Sequence, residues 1–306
     1  MSSLTGIGRR VRVRVPAKIN LHLAVGDLRA DGYHDLVSVF HAVDLFDELV
    51  ISPSHRYTVR THGMAGVPTG AKNLAVAAAR LLADRTGLGG PVAIEIHKQI
   101  PVAGGMAGGS ADAAAALLAC AHLWGLELSR DQLAGFAAEL GSDVPFALTG
   151  GTAVGTGRGE LLSPVLARSP LHWVLAVSEQ GLSTPQVFAE LDRLRSAGDP
   201  PRVGPVQQML TALASADPVE VAAVLGNDLQ AAAISLQPEL RRTLQAGRAA
   251  GALGGLVSGS GPTVAFLCRG ADHAAEVAAD LAGSGTCRAV RIAAGPVPGA
   301  RLTGSA

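Results

Sequence analysis

Residues 100–112, Ile-Pro-Val-Ala-Gly-Gly-Met-Ala-Gly-Gly-Ser-Ala-Asp, run directly into an alanine-rich stretch that reads as a helix. A glycine-rich loop feeding a helix N-terminus offers unpaired backbone N–H groups and the positive end of a helix dipole, which together favour a phosphate. Gly104, Gly105, Gly108 and Gly109 permit positive φ and close approach of a ligand. Ser110 can cap the helix or give its hydroxyl to a phosphate or a metal. The spacing is not G-x-x-x-x-G-K-[ST], and the chain has no G-x-G-x-x-G, so neither common nucleotide fingerprint applies. Taken alone, such a loop is more often a structural turn.

Other residues stand out by type and place. Lys18 sits between Ala17 and Ile19 in an otherwise apolar stretch, and Asn20 is the next polar residue on the same strand face. Asp143 lies in Gly141-Ser142-Asp143-Val144-Pro145, where Ser142 and Pro145 mark a helix start, so the plain reading is a capping aspartate. Ala30-Asp31-Gly32-Tyr33-His34 reads as a loop with an anchoring aromatic, and Phe188 in Thr184-Pro185-Gln186-Val187-Phe188 as a helical core residue. Ser258-Gly259-Ser260-Gly261-Pro262 reads as a tight turn.

Pro16 to Leu23, the glycine-rich loop and Val257 to Thr263 together resemble the three signature motifs of the GHMP kinase superfamily, and the likeness runs from Pro16 to about Ile292. Gly32-Tyr33-His34 and Gly141 to Phe146 resemble the branch of that family whose alcohol substrate carries a cytidine diphosphate, on the non-mevalonate route to isoprenoid precursors. The resemblance implies an ATP- and Mg2+-dependent alcohol kinase. It gives Asp143 and Lys18 the catalytic roles, Asn20 and Thr184 contacts to substrate, and Tyr33 and Phe188 the stacking of a cytosine whose polar edge His34 reads. It assigns the nucleotide to Asn73, Lys98, Pro101, Gly104, Gly105, Gly108, Gly109 and Ser110, and makes the turn Gly259-Ser260-Gly261 a brace for the loop. For the metal, Ser110 with water is the expected ligand, and Asp112 is read as a first-turn helix charge. Alanine replaces the family's usual glycine at Ala103 and Ala107, which predicts φ < 0 at both. A different GHMP kinase, of homoserine or mevalonate type, has no need of the aromatic pair. A non-catalytic nucleotide or sugar sensor has no need of Lys18 with Asp143. A serine hydrolase lacks its nucleophile elbow at Ser110 and Ser260.

These residues need a scaffold, and its pattern is mixed. Strands are predicted at residues 9–15, 19–25, 36–43, 48–51, 92–97, 150–155 and 171–177, and helices at 73–83, 111–124 and 129–140, the last opened by Ser129 and Gln132 at capping-box spacing. The later half is richer in helix, at 184–194, 205–213, 218–225 and 238–249, and closes strand, strand, helix, strand from Gly255 to Ile292. This is an α+β pattern with antiparallel sheets. The resemblance sharpens it to a two-domain GHMP kinase fold, an N-terminal part like ribosomal protein S5 domain 2 and a ferredoxin-like C-terminal part. The proline-bearing stretch 163–170 divides residues 1–166, for nucleotide and catalysis, from 167–306, completing the substrate site.

In 306 residues, 48% hydrophobic but only 3% aromatic, the core must be Ala, Val, Leu and Ile. Twenty-five basic and 25 acidic residues cancel, so no global field draws nucleic acid or an anionic membrane. Cys120, Cys268 and Cys287 lack metal-type spacing and read as reduced thiols. The basic N-terminal stretch has no apolar signal-like core, disorder is expected only at the two ends, and the expectation is a cytoplasmic monomer or weak homodimer.

Overall fold

The computed structural model describes residues 10–198 and 200–305. The expected strand start at Arg9 and the outermost residues of the two ends lie outside them. Strand β1 (Val11–Leu28) opens with Val11, Val13 and Val15 buried and Arg12 and Arg14 exposed, the alternation read from sequence. From Val15 to Leu23 every residue is buried, as in a strand covered on both faces. It pairs antiparallel with β2 (His34–Pro53) along nearly its whole length. Four short strands were expected where two long ones stand. Pro16, which has no N–H, falls at a register shift between Pro16 and Ala17, and a second shift follows Asn20. These irregularities absorb the interruptions, so the ladder continues past them.

Next come β3 (Thr58–His62), α1 (Leu74–Thr86) and β4 (Val92–His97), with β3 and β4 parallel. Then follow α2 (Gly108–Leu123), α3 (Arg130–Leu140), α4 (Val144–Thr149), β5 (Thr152–Thr156) and β6 (Leu161–Pro164). The α3 capping box forms as the spacing predicts, with Ser129 and Gln132 each satisfying the other's backbone N–H. Helix α2 is apolar all round, with Ala113 to Ala116 and Leu117 fully buried, so it is a core element rather than a surface one. Its small side chains let it lie close to β1. The loop entering it is thereby set against the strand bearing Lys18, whose backbone N–H donates to Met106 O at 3.4 Å.

The later half comprises β7 (Leu171–Val177), α5 (Thr184–Ala197), α6 (Val206–Ser215), α7 (Pro218–Ala223), β8 (Gly226–Asn227), α8 (Gln230–Leu236), α9 (Glu239–Ala249), β9 (Gly254–Val257), β10 (Val264–Cys268), α10 (Ala271–Gly283), β11 (Ala289–Gly295) and β12 (Arg301–Ser305). Four strands form an antiparallel sheet in the order β11-β7-β10-β9, over a second core that includes Val174, Phe266 and Val277. The short β8 pairs parallel with β1, and β12 pairs antiparallel with β1, so the chain crosses back twice into the first sheet after position 167. Asp228 adds a polar tie, accepting from the N–H groups of Val25 at 2.9 Å and Val203 at 2.7 Å.

His41 of β2 lies fully buried where the two sheets meet, with Trp173 of β7 at 6.2 Å between ring centroids and Thr152 Oγ1 at 2.8 Å from Nδ1. Burial pushes its pKa down to about 4, and burial also lowers that of His22. The unfolded chain takes up these protons near the ordinary imidazole value of 6.5 and the folded chain does so only below it. The stability present above that value is therefore lost as pH falls toward about 4. Calorimetric Tm should drop between pH 7 and pH 5, and the drop should be shallower in His41→Gln; equal slopes would show that His41 does not carry the effect.

Candidate active site

A cavity of about 760 Å³ opens between the halves and is lined by β1, β2, the glycine-rich loop, the 141–143 turn, α5 and the 259–261 turn. Lys18 and Asn20 project into it from the doubly covered part of β1. The Lys18 ammonium stands 3.7 Å from Asp143 Oδ2 and donates to Asn20 Oδ1 at 2.8 Å. Asn20 Nδ2 donates to Ser38 Oγ at 2.7 Å, and that hydroxyl donates to His22 O at 3.0 Å. This relay fixes the Asn20 amide with its oxygen toward the lysine. Asp143 is the N-terminal flanking residue of α4, but its carboxylate makes no capping hydrogen bond. Its side chain is one-third exposed, so it faces the cavity with the Lys18 ammonium as its ion-pair partner. A capping aspartate would have spent its oxygens on N–H groups; this one has them free.

The phosphate-type loop is present, with its backbone shaped otherwise than expected. Ala103 and Ala107 have φ of 51° and 57°, not φ < 0. Left-handed alanine costs about 1–2 kcal/mol and persists only where the surroundings impose it. They do so here. Gly105 O accepts from Ser258 Oγ at 3.1 Å, and Thr263 N–H donates to Gly104 O at 3.2 Å. A Cβ on Gly105 would stand 2.1 Å from Ser258 O, so only glycine allows this approach. Gly259 to Gly261 form the cavity-facing part of the same turn, with Ser260 Oγ 2.8 Å from Thr184 Oγ1.

Three residues expected at the nucleotide do not line this cavity. Lys98 is buried beneath the loop, bound to Asp47, to Asp112 at 2.9 Å and to Gly108 O at 2.9 Å. A lysine held by Asp47 and Asp112 under the loop supports it from behind and does not line the cavity. Asp112 is correspondingly no first-turn surface charge: burial raises its carboxyl pKa to about 8, against the pull of the Lys98 ammonium. Asp47, fully buried, also accepts from the N–H groups of Gln99 at 2.7 Å and Ile100 at 2.9 Å. Asn73 caps α1, its Oδ1 taking the N–H groups of Ala75 and Val76 and its Nδ2 donating to Pro68 O; its neighbour Leu74 is the residue that reaches the cavity. Pro101 lines a smaller cavity of about 480 Å³ on the other flank of the loop. Gly104, Gly105, Gly108, Gly109 and Ser110 do line the main one.

Tyr33, His34 and Phe188 come together in the main cavity although 154 residues separate His34 from Phe188. The His34 and Phe188 rings stack with centroids 5.3 Å apart and planes 26° from parallel. His34 is buried, whereas Tyr33 is 54% exposed, with the Arg158 guanidinium 5.6 Å over its ring. Arg158 and Asp192, which no motif singles out, also line the cavity. The signal for Arg158 was a charge held in the turn Gly157-Arg158-Gly159; Asp192 carried one in its helical spacing, one turn after Phe188.

A family model described as "GHMP kinases N terminal domain" matches residues 73–151, and one described as "GHMP kinases C terminal" matches residues 209–286. The chain belongs to the GHMP kinase family, and is an ATP-dependent small-molecule kinase of two-domain α+β fold. Among its relatives is a protein of Nocardia farcinica named 4-diphosphocytidyl-2-C-methyl-D-erythritol kinase, 64% identical over 95% of this chain and 96% of that one. One of Rhodococcus jostii with the same name is 59% identical over 99% and 98%. A crystal structure of a 4-(cytidine 5'-diphospho)-2C-methyl-D-erythritol kinase, 36% identical, superposes with a TM-score of 0.74 over 92% of this chain and 98% of that one. A crystal structure of L. major mevalonate kinase, 16% identical with a TM-score of 0.74 over 97% of this chain and 99% of that one, shares the fold alone.

Proposed function

We propose that the chain transfers the γ-phosphoryl group of ATP to the 2-hydroxyl of 4-diphosphocytidyl-2-C-methyl-D-erythritol, giving ADP and the 2-phosphate, a step of the non-mevalonate route to isoprenoid precursors. The observation that carries this reading is one cavity holding both the Lys18–Asp143 pair and the aromatic group Tyr33, His34 and Phe188. A small aliphatic alcohol would leave the aromatic group without work. Names borne by relatives at 57–64% identity support the same substrate.

The chemistry follows from the geometry. Asp143 orients the acceptor hydroxyl and takes its proton as the new O–P bond forms and the bond from the γ-phosphorus to the ADP oxygen breaks. Lys18, held by Asn20, places its charge against the transferring group. The N–H groups opening α2 receive phosphate oxygens. For Mg2+, no group of three or more His, Cys, Asp or Glu that could hold an ion exists among the described residues. Ser110, which lines the cavity at the loop, would hold the ion together with the nucleotide's phosphates, and the ion would supply positive charge there. We further assign nucleotide binding and catalysis to residues 1–166, with residues 167–306 completing the substrate site through Thr184 and Phe188. No helix among the described residues is long and apolar enough to cross a membrane.

The test is incubation with Mg-ATP and, separately, the cytidyl alcohol, mevalonate, homoserine and galactose. ADP release with only the last three would sink the reading. Stacking of a base on an aromatic is worth about 1–3 kcal/mol, so Tyr33→Ala and Phe188→Ala should each raise KM for the cytidyl substrate roughly tenfold or more. KM for ATP should hold, and steady-state kinetics with each substrate varied in turn would show it. Wild-type KM in both variants would remove the cytosine from this end of the cavity.

A further inference from the structure

The hydrogens at His34 are placed by its neighbours. Nδ1 lies 3.0 Å from Gly26 O, and a carbonyl oxygen only accepts, so Nδ1 carries the hydrogen. The same oxygen also accepts from Arg195 Nη1 at 2.7 Å. In the neutral ring Nε2 is then a bare lone pair. It points at Asp192 Oδ2, 3.4 Å away. Both side chains line the main cavity, His34 nearly buried and Asp192 one-third exposed. Two acceptors thus face each other across a gap, and Phe188, one turn before Asp192 on α5, stacks on the imidazole beside them.

We propose that Asp192, paired with His34 Nε2, is a specificity-determining residue that reads an exocyclic amino group on the base of the alcohol substrate. The inference rests on the cytidyl reading given above. A 4-aminopyrimidine brings one planar –NH2 with two hydrogens, which one imidazole nitrogen and one carboxylate oxygen can share. A 4-oxo base places an oxygen at the same point, against two acceptors, and leaves all three unpaired. Unpaired polar groups in a closed site are what make hydrogen-bond discrimination strong, far beyond what shape gives between two bases of equal size. Tyr33 and Phe188 cannot make this distinction, because stacking tolerates any base.

The experiment is steady-state kinetics of wild type and Asp192→Asn with the cytidyl substrate and its uridyl analogue. The carboxamide keeps the size of the side chain but offers an N–H to a 4-oxo group. We expect the wild type to favour the cytidyl substrate strongly. In Asp192→Asn the ratio of kcat/KM values for the two substrates should shrink by roughly tenfold or more, through KM, with KM for ATP and Tm unchanged. A variant that keeps the wild-type ratio, or loses activity equally toward both substrates, overturns the assignment and makes Asp192 a structural partner of His34. A wild type that does not distinguish the two bases overturns the cytidyl reading itself, which separates that failure from this one. Calorimetric binding of cytidine and uridine diphosphates to the same two proteins repeats the comparison without turnover.

Discussion

Asp143→Asn should lower kcat by at least about a hundredfold while leaving ATP affinity nearly intact. The factor is the usual scale for a residue that moves a proton in the transition state. The structure strengthens the expectation by removing the competing role. If Asp143 were a helix cap, its replacement by asparagine, an equally good cap, would be nearly silent. Its carboxylate makes no capping bond, however, and its partner is the Lys18 ammonium at 3.7 Å. The amide keeps the shape and gives up both the charge and the capacity to take a proton. The loss should therefore appear in kcat, with KM for ATP close to wild type, because the phosphate-facing N–H groups belong to another element. Single-turnover phosphoryl transfer with the cytidyl alcohol is the direct measurement. Full turnover by Asp143→Asn would leave the residue as a turn former only.

How far the sequence leads depends on whether the partners are near in the chain. The α3 start was legible because Ser129 and Gln132 are three residues apart and satisfy each other. The strands 92–97 and 171–177 were legible because burial on one or both faces writes itself into the residue pattern. β12 was not, since Arg301 to Ser305 has no such pattern and forms only because β1 presents an open edge to it. At the loop, the conformational preference of alanine pointed to φ < 0, and contacts from the 258–263 turn, some 150 residues away, overrode it. Lys18, Asn20, Tyr33, His34, Asp143 and Ser110, which the motifs single out, all line the cavity. Lys98 and Asn73 do not line it, because what decides that is the direction a side chain takes from its backbone.

Lys98 is where that direction has the greatest consequence for stability. Lys98→Met should destabilise the protein by about 3–5 kcal/mol, the cost of leaving a buried charge without its partner. Asp47 and Asp112 are both buried, and both rely on the one ammonium. Asp47 keeps two backbone N–H donors after the change, from Gln99 and Ile100. Asp112 keeps no backbone donor and is left facing Asp47: its Oδ1 has no hydrogen-bond partner among the described residues, and its Oδ2 is the atom bound to Lys98. The penalty should therefore fall on the Asp47–Asp112 pair, which loses the cation that both carboxyl groups bind. Adding Asp112→Asn to Lys98→Met should recover much of the lost stability, since the amide can donate to Asp47 where the ammonium did, whereas Asp112→Asn alone should cost less than Lys98→Met. Lys98 also holds Gly108 O, so the single variant should weaken ATP binding as the loop loosens. Denaturant unfolding of the three variants, with ATP titrated by calorimetry, tests both parts. A Lys98→Met protein as stable as wild type, but with ATP binding abolished, would return the lysine to the nucleotide.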